Sequence, residues 1–212
     1  MRVGQEFSGF AAQIEHGTTR AERAMKRLAE NLPIGGTAIG TGINTHAEFG
    51  RRVSASLKKR LRIDFAEATN HFEAQATRDC VVEASGELRT IAISLSKIAN
   101  DIRWLGSGPR CGLGELVLPA TQPGSSIMPG KVNPVICESV MQVTCQVMGH
   151  DLAISTGGLG GTGSLLQLNV AMPMMAWAMI DSIRLLANAA AILQDKCIDG
   201  LELDRAAAEG YV

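Results

Sequence analysis

The sequence predicts an all-α protein, built as a bundle of long helices. Apolar residues recur at intervals of three and four along most of the 212 residues, which is the spacing of one face of an α-helix. The period-two alternation of a half-buried strand is absent. Glycine- and proline-rich segments interrupt the helical pattern at residues 33–42, 106–133 and 157–163. We therefore expect long helices joined by irregular connections, no sheet of any size, and short extended pieces only around residues 114–119.

The first half of the chain contains two long predicted helices. Residues 5–30 form the first, with a polar face that includes Glu15, Glu22 and Arg23. Apolar residues at positions 88, 91, 95, 98, 102 and 105 form a stripe, which runs for about five turns at ~3.6 residues per turn. Between these helices, Lys58-Lys59-Arg60 is interpreted as the solvated end of a further helix.

Two more helices complete the predicted bundle. A stripe of Ile136, Val140, Val143 and Val147 indicates the first of them. Residues 165–193 are apolar on nearly all sides of a helical axis and are interpreted as a buried helix. A helix that is apolar all round has to be covered on every side. In a chain of this size we expect other subunits to supply that cover.

Composition excludes several classes of function. A net charge of −1 argues against the basic surface that nucleic acids require. The most apolar stretch, residues 165–180, is shorter than the ~20 residues of a membrane span, and residues 1–10 lack the core of a signal peptide. The five cysteines include no Cys-x-x-Cys pair, which disfavours a zinc site and a disulfide framework. We expect a cytoplasmic protein with reduced, mostly buried thiols, no metal or organic cofactor, and neither nucleic acid nor membrane as a partner.

Two candidate motifs lack the context that their chemistry needs. Gly158-x-Gly160-x-x-Gly163 matches the dinucleotide-binding fingerprint, but no strand–turn–helix unit surrounds it. A turn between two helices explains these glycines better. The histidines at positions 16, 46, 71 and 150 show no His-x-x-x-His spacing. Surface or hydrogen-bonded core positions are favoured for them over catalytic ones.

The loop that ends at Pro134 offers a candidate anion site. Asn133 followed by Pro134 is typical of an N-cap with proline at the first helical position. A helix N-terminus presents free amide donors and a partial positive charge, and Lys131 adds a full charge. Ser125 and Ser126 lie on the same loop and supply hydroxyls. This pattern suits a small carboxylate, although a capped helix after an ordinary proline-rich loop explains the same residues.

Residues 124–134 read Gly-Ser-Ser-Ile-Met-Pro-Gly-Lys-Val-Asn-Pro. This run resembles the signature loop of the fumarase/aspartase superfamily. The blocks at residues 35–46, 100–105 and 107–112 are similar to other characteristic segments of that superfamily. Within it, residues 44–49, residues 71–73, Trp104 and Gly130 resemble the class II fumarase branch. The resemblance extends over essentially the whole chain, and it favours a substrate site over an ordinary capped loop.

The resemblance implies a hydro-lyase of the tricarboxylic acid cycle. Fumarate would be hydrated reversibly to L-malate by anti addition and elimination, through an aci-carboxylate intermediate. Ser125 would be the base that removes the C3 proton of malate, with its oxyanion stabilised by the amides of the loop. The substrate would be held by Ser126, Lys131, Val132 and Asn133. Glu138 would pair with the catalytic histidine of the family, which belongs to a block expected just upstream of residue 1.

The family also implies an architecture. Residues 1–198 would form the central helical bundle domain of the fumarase/aspartase type, with the signature loop at residues 106–133. Residues 199–212 would begin a truncated C-terminal domain, so the fold is expected to be partial. Four copies would assemble into a homotetramer whose active sites each draw on three subunits. A fragment without the histidine is expected to keep the fold and to lose most activity.

Two alternatives stay open. Residues 167–170, Gln-Leu-Asn-Val, resemble aspartase more closely, because fumarases tend to have glutamate at the position of Gln167. Aspartate ammonia-lyase is therefore the second candidate activity. The third interpretation, from another class of protein, is a catalytically dead helical module that only oligomerises.

Overall fold

The computed structural model describes residues 2–122, 124, 128 and 132–210. In chain order its elements are α1 (Val3–Ala29), α2 (Phe49–Leu61), α3 (His71–Ala76), α4 (Asp79–Leu105), β1 (Leu116–Val117), α5 (Val135–Gly158), β2 (Ser164–Leu165), β3 (Leu168–Asn169), α6 (Met172–Leu193), a π-helix (Gln194–Ile198), β4 (Glu202–Leu203) and α7 (Arg205–Glu209). Each strand is two residues long. The prediction of an all-α fold with long helices is confirmed.

The chain divides into two compact units. Unit 1 comprises Met1–Ile14, Ala92–Val147 and Arg184–Val212, and unit 2 comprises Glu15–Ile91 and Met148–Ile183. The predicted division at residue 198, between a bundle domain and the start of a C-terminal domain, stays a prediction.

In unit 1 the predicted stripes of α4 and α5 form the core. Leu95, Ile98 and Ile102 of α4 are buried, as are Val140 and Val147 of α5. The buried hydroxyl of Thr144 donates to the main-chain carbonyls of Ala92 at 3.0 Å and Val140 at 3.1 Å. That bond satisfies a polar group inside the core and joins the two helices. Of the other stripe positions, residue 88 is buried, and residues 91, 105, 136 and 143 are half-buried.

Unit 2 combines an apolar core with buried polar pairs. Ala84, Ile154 and Met175 are almost fully buried. The carboxylate of Asp151, also buried, accepts hydrogen bonds from Ser85 Oγ at 2.6 Å and Arg89 Nη1 at 2.7 Å. A buried carboxylate is tolerated when its oxygens are paired in this way.

Two small antiparallel ladders connect the irregular segments. β1 pairs with β4, with Leu116 opposite Leu203, and β2 pairs with β3, with Ser164 opposite Asn169. β1 lies where a short extended piece was expected. Asn169 is buried and its side chain donates to the carbonyl of Gly157 at 3.0 Å.

The prediction of one helix over residues 165–193 is wrong at its start. Residues 164–169 form the β2–β3 hairpin, and α6 begins only at Met172. Leu166 adopts a left-handed φ of 50°, and Asn169 bonds to the backbone of Gly157 and of Ala171. These local hydrogen bonds compete with helix formation, which the apolar pattern alone does not reveal.

The cover expected around this segment is not provided by the single chain. Leu165 is 70 % exposed, Trp177 63 % and Ile180 51 %. By length and composition, residues 172–198 also pass as a possible membrane span, a test that the core helix of a soluble protein passes equally. Cover by other subunits therefore stays a prediction.

The expectation of mostly buried thiols is only partly correct. Cys137 and Cys197 are buried, Cys80 is half-buried, and Cys111 and Cys145 are exposed. Cys137 and Cys145 both belong to α5, yet only Cys137 is buried, because burial follows the face of the helix on which a residue lies rather than its type.

Candidate active site

A cleft of about 930 Å³ lies in unit 1, at the start of α5. One wall is the end of α4 with the loop that follows it, and the opposite side includes the start of α7. The lining residues with ionisable side chains are Arg103, Arg110 and Asp204. The carboxylate of Asp204 accepts a hydrogen bond from the amide of Ala207 at 3.0 Å, and so caps α7. The cleft therefore has an excess of positive charge.

The loop after α4 is held in place by hydrogen bonds between the Ser107 hydroxyl and the backbone. Ser107 Oγ donates to the carbonyl of Trp104 at 2.5 Å and accepts from the amide of Leu113 at 3.2 Å. A Cβ at Gly112 would lie 2.3 Å from the carbonyl carbon of Ser107. Only glycine allows so close an approach of two backbone segments. The wall of the cleft is thus a folded turn with a glycine requirement.

The start of α5 differs by one residue from the prediction. The amide of Glu138 donates to the carbonyl of Pro134 at 3.0 Å, which is the first helical hydrogen bond, and α5 begins at Val135. Pro134 therefore occupies the cap position that was predicted for Asn133. A shift of one residue is typical of helix ends. The positive end of the helix still lies directly after Asn133, which lines the cleft.

The predicted site residues are brought together in part. Val132 and Asn133 both line the cleft. Glu138 lies half-buried on the first turn of α5 and is not among the residues that line it. Ser125, Ser126 and Lys131 lie outside the described residues, so their roles stay predictions.

Two arginines that sequence reasoning did not single out line the same cleft. Arg103, near the end of α4, donates from Nη2 to Asn100 Oδ1 at 3.0 Å, and Arg110 lies in the following loop. Among the described residues neither forms an ion pair. Their signal in the sequence was an arginine on the last turn of a long helix and a second one in a Gly-Pro-Arg turn.

Beneath the first turn of α5, Cys137 and Cys197 lie with their Sγ atoms 3.9 Å apart. The hydrogen bond with Cys197 and the burial of the side chain raise the pKa of the Cys137 thiol, and the charge of Arg103 offsets part of that effect. The hydrogen bond from Cys137 lowers the pKa of Cys197.

All four histidines belong to unit 2, and none lines the cleft. His71 Nε2 lies 3.1 Å from the carbonyl of Ile34 and 3.0 Å from Glu67 Oε1. The buried His150 places Nδ1 3.1 Å from Ser182 Oγ, and His46 Nδ1 accepts from the amide of Glu48 at 3.1 Å. His16 is exposed. Each histidine is thus exposed or hydrogen-bonded, as expected, and the absence of a catalytic role stays a prediction. Within the described ranges no three His, Cys, Asp or Glu side chains group as metal ligands.

Residues 1–149 match the sequence model of a family described as lyase. This chain belongs to that lyase family. The matched residues include the run at 124–134 and the wall of the cleft formed by the end of α4 and the loop after it. Membership of the lyase family agrees with the superfamily that the run at residues 124–134 predicted.

Named members show how specific the likeness is. The class II fumarate hydratase of Mycobacterium tuberculosis is 56 % identical over 200 residues, covering 94 % of this chain and 41 % of its own length. That of Neisseria meningitidis is 50 % identical over 202 residues, covering 95 % and 43 %. The chain thus spans about two fifths of the length of these curated lyase relatives.

Solved structures give the same family. The crystal structure of class II fumarase from Schistosoma mansoni matches with a TM-score of 0.93 and 36 % identity, over 100 % of this chain and 46 % of that one. A fumarate lyase:delta crystallin structure from Brucella melitensis matches with a TM-score of 0.91 and 45 % identity, over 98 % and 44 %. The arrangement of helices is therefore that of the lyase family.

Proposed function

We propose that this chain is part of a class II fumarate hydratase, which hydrates fumarate reversibly to L-malate. The observation that carries the proposal is the eleven-residue run at 124–134, which leads into the positive end of α5 beside a cleft rich in arginine. The identity of 50–56 % to class II fumarate hydratases over nearly the whole chain supports it.

The proposed chemistry uses charge that develops on the substrate. Ser125 takes the C3 proton of malate, and the electron pair moves onto the neighbouring carboxylate as an aci-carboxylate. Lys131 and Asn133, with the amides at the start of α5, hold that carboxylate. Contacts that strengthen as charge grows lower the barrier, whereas uniform binding does not. The hydroxyl group then leaves from the opposite face with a proton, which gives fumarate and water.

Further residues complete the proposed site. Ser126 binds the substrate, and Val132 gives the cleft an apolar surface beside Asn133. The fields of Arg103 and Arg110 favour entry of a dianion. Glu138 orients a histidine that protonates the leaving hydroxyl. None of the four histidines lines the cleft. The proposed histidine therefore comes from a segment that does not line it.

A homotetramer in the cytoplasm is part of the same proposal. The exposed Leu152, Leu165, Val170, Trp177 and Ile180 all belong to unit 2. Apolar side chains of this size in such number are typical of a surface that another protein covers. Light scattering on the purified chain tests this point, and a monomer at micromolar concentration would contradict it.

Aspartate ammonia-lyase is the second candidate, because Gln167 stands where fumarases tend to have glutamate. Gln167 is exposed and lies in the turn of the β2–β3 hairpin in unit 2, not among the residues of the cleft. Because Gln167 does not line the cleft, the lining of the cleft does not favour aspartase.

The deciding experiment offers L-malate and L-aspartate separately to an intact enzyme that contains this sequence, and then to the purified chain, and follows the absorbance band of fumarate. Fumarate formed from malate alone supports the proposal. Fumarate formed from aspartate alone overturns it in favour of the ammonia-lyase. If neither substrate reacts while light scattering shows a tetramer, the chain by itself acts as a helical assembly module and the proposed activity fails for it.

A further inference from the structure

Two cysteines of unit 1 form a buried thiol pair that the proposed hydratase chemistry does not use. Cys137 lies on the first turn of α5, and Cys197 lies in the π-helix that follows α6. Their Sγ atoms are 3.9 Å apart, at the distance of a sulfur hydrogen bond, and both residues are buried. The two cysteines are 60 positions apart in the chain, so the tertiary fold brings the thiols together.

The packing of two helices holds this thiol pair in place. Cys137 shares the buried face of α5 with Val140, three residues further on. Cys197 continues the buried face of α6, because it follows the buried Leu193 by four residues. The π-helix that contains Cys197 is a rare element, which occurs mostly at functional sites. Both thiols therefore lie in one packed interior, away from the exposed apolar face of unit 2.

A small cavity joins the thiol pair to the start of α5. It has a volume of about 10 Å³, and its lining includes both cysteines, Asn133 and the exposed residues Thr121 and Lys196. A space of this size holds about one water molecule. Hydrogen peroxide is little larger than water, whereas a peptide disulfide such as oxidised glutathione is far too large to enter. The cavity therefore favours a small oxidant.

We propose that Cys137 and Cys197 are a modification site, at which a small peroxide converts the two thiols to a disulfide. One thiolate attacks a peroxide oxygen, the O–O bond breaks, and a sulfenic acid and hydroxide form. The second thiol attacks that sulfur, water leaves, and its proton neutralises the hydroxide. Two thiols and one hydrogen peroxide thus give one disulfide and two water molecules. The sulfurs have to approach by about 1.9 Å to reach the ~2.05 Å of a disulfide.

The hydrogen bond between the thiols sets the order of the two steps. It lowers the pKa of Cys197 and, together with burial, raises the pKa of Cys137. Because the thiolate is the nucleophile, Cys197 attacks the peroxide and Cys137 resolves the sulfenic acid. The disulfide then ties the first turn of α5, which follows Asn133, to the π-helix. Its formation does not depend on the proposed hydratase activity.

Peptide mapping by mass spectrometry tests the proposal on an intact enzyme that contains this sequence. After brief treatment with dilute hydrogen peroxide, we expect the peptides of Cys137 and Cys197 to be linked and dithiothreitol to release them. Oxidised glutathione at the same concentration should form the link at least ~10-fold more slowly, because the buried thiols are closed to it. In urea the link should lose its preference over pairs with other cysteines, because the fold no longer selects the partners.

Cys145→Ser is the matched control, because Cys145 lies on the same helix with an exposed side chain, and it should leave the link unchanged. Cys137→Ala should leave Cys197 as a sulfenic acid that dimedone traps, because the resolving thiol is missing. Mapping of the unmutated protein decides the proposal even if this variant does not fold. Oxidation of Cys111 or Cys145 while Cys137 and Cys197 stay reduced would overturn it. A link that forms equally fast with oxidised glutathione would do the same.

Discussion

The arginines of the cleft in unit 1 and the arginine of the buried polar cluster in unit 2 have different bonding partners. In unit 2, Arg89 pairs with the buried carboxylate of Asp151 at 2.7 Å, and Ser85 completes the pairing. In the cleft, Arg103 bonds to the neutral amide of Asn100, and among the described residues neither it nor Arg110 has a carboxylate partner. We therefore expect the first charge to stabilise the fold and the other two to act on an anion.

Lys131→Ala, made in an intact enzyme that contains this sequence, is the change with the largest expected effect on the site. Losing the cation that stabilises the aci-carboxylate should lower turnover of malate at least ~100-fold, the usual scale for one such group, while thermal stability stays unchanged. Initial rates at saturating malate measure it. Near-normal turnover would show that residue 131 does not stabilise developing charge.

Asp151→Asn should affect the opposite property, stability without site chemistry. Removing the charge that pairs with Arg89 in a buried setting is expected to cost about 2 kcal/mol, below the usual range for a fully buried pair because Arg89 is half exposed. Urea unfolding measures the loss. Asp64→Asn is the control, since its pair with Lys58 at 2.7 Å lies at the surface; an equal loss there would remove the distinction drawn for unit 2.

Arg103→Gln is expected to weaken the attraction of the cleft for the substrate, because it removes one positive charge from the lining. Because the side chain is only half-buried, we expect about a 10-fold fall in kcat/KM for malate, or ~1.4 kcal/mol, with unchanged unfolding. Arg103→Lys keeps the charge and should recover much of the activity. A fall in stability with unchanged kcat/KM would place Arg103 with Arg89, as a residue of the fold.

The smallest effect is expected for Thr144→Val in the core of unit 1. The substitution keeps the shape and removes the buried hydrogen bonds to the carbonyls of Ala92 and Val140, so a loss of about 1 kcal/mol is expected. Thr156→Val serves as the comparison, because its hydroxyl bonds to Leu152 on an exposed face. Equal losses in the two variants would mean that the link between α4 and α5 adds nothing.

The sequence predicted the helical scaffold well because apolar spacing reports directly on the buried faces of α4 and α5. It failed where a local bond competes with that pattern, as at Asn169, whose amide fixes a hairpin in place of the expected helical turn. For the site, the signature run predicted Val132 and Asn133 at the cleft, but nothing in the spacing of Arg103 indicated that it lines the same space.

By themselves, the residues determined the class of fold and the lyase family, since helical periodicity and a specific run of eleven amino acids are both properties of a one-dimensional string. Only the tertiary structure decided which charges are paired. Arg89 and Arg103 both lie on α4, yet the first binds a carboxylate and the second an amide. The reason is physical: the free energy of a charge depends on the groups that distant segments bring within a few ångströms of it.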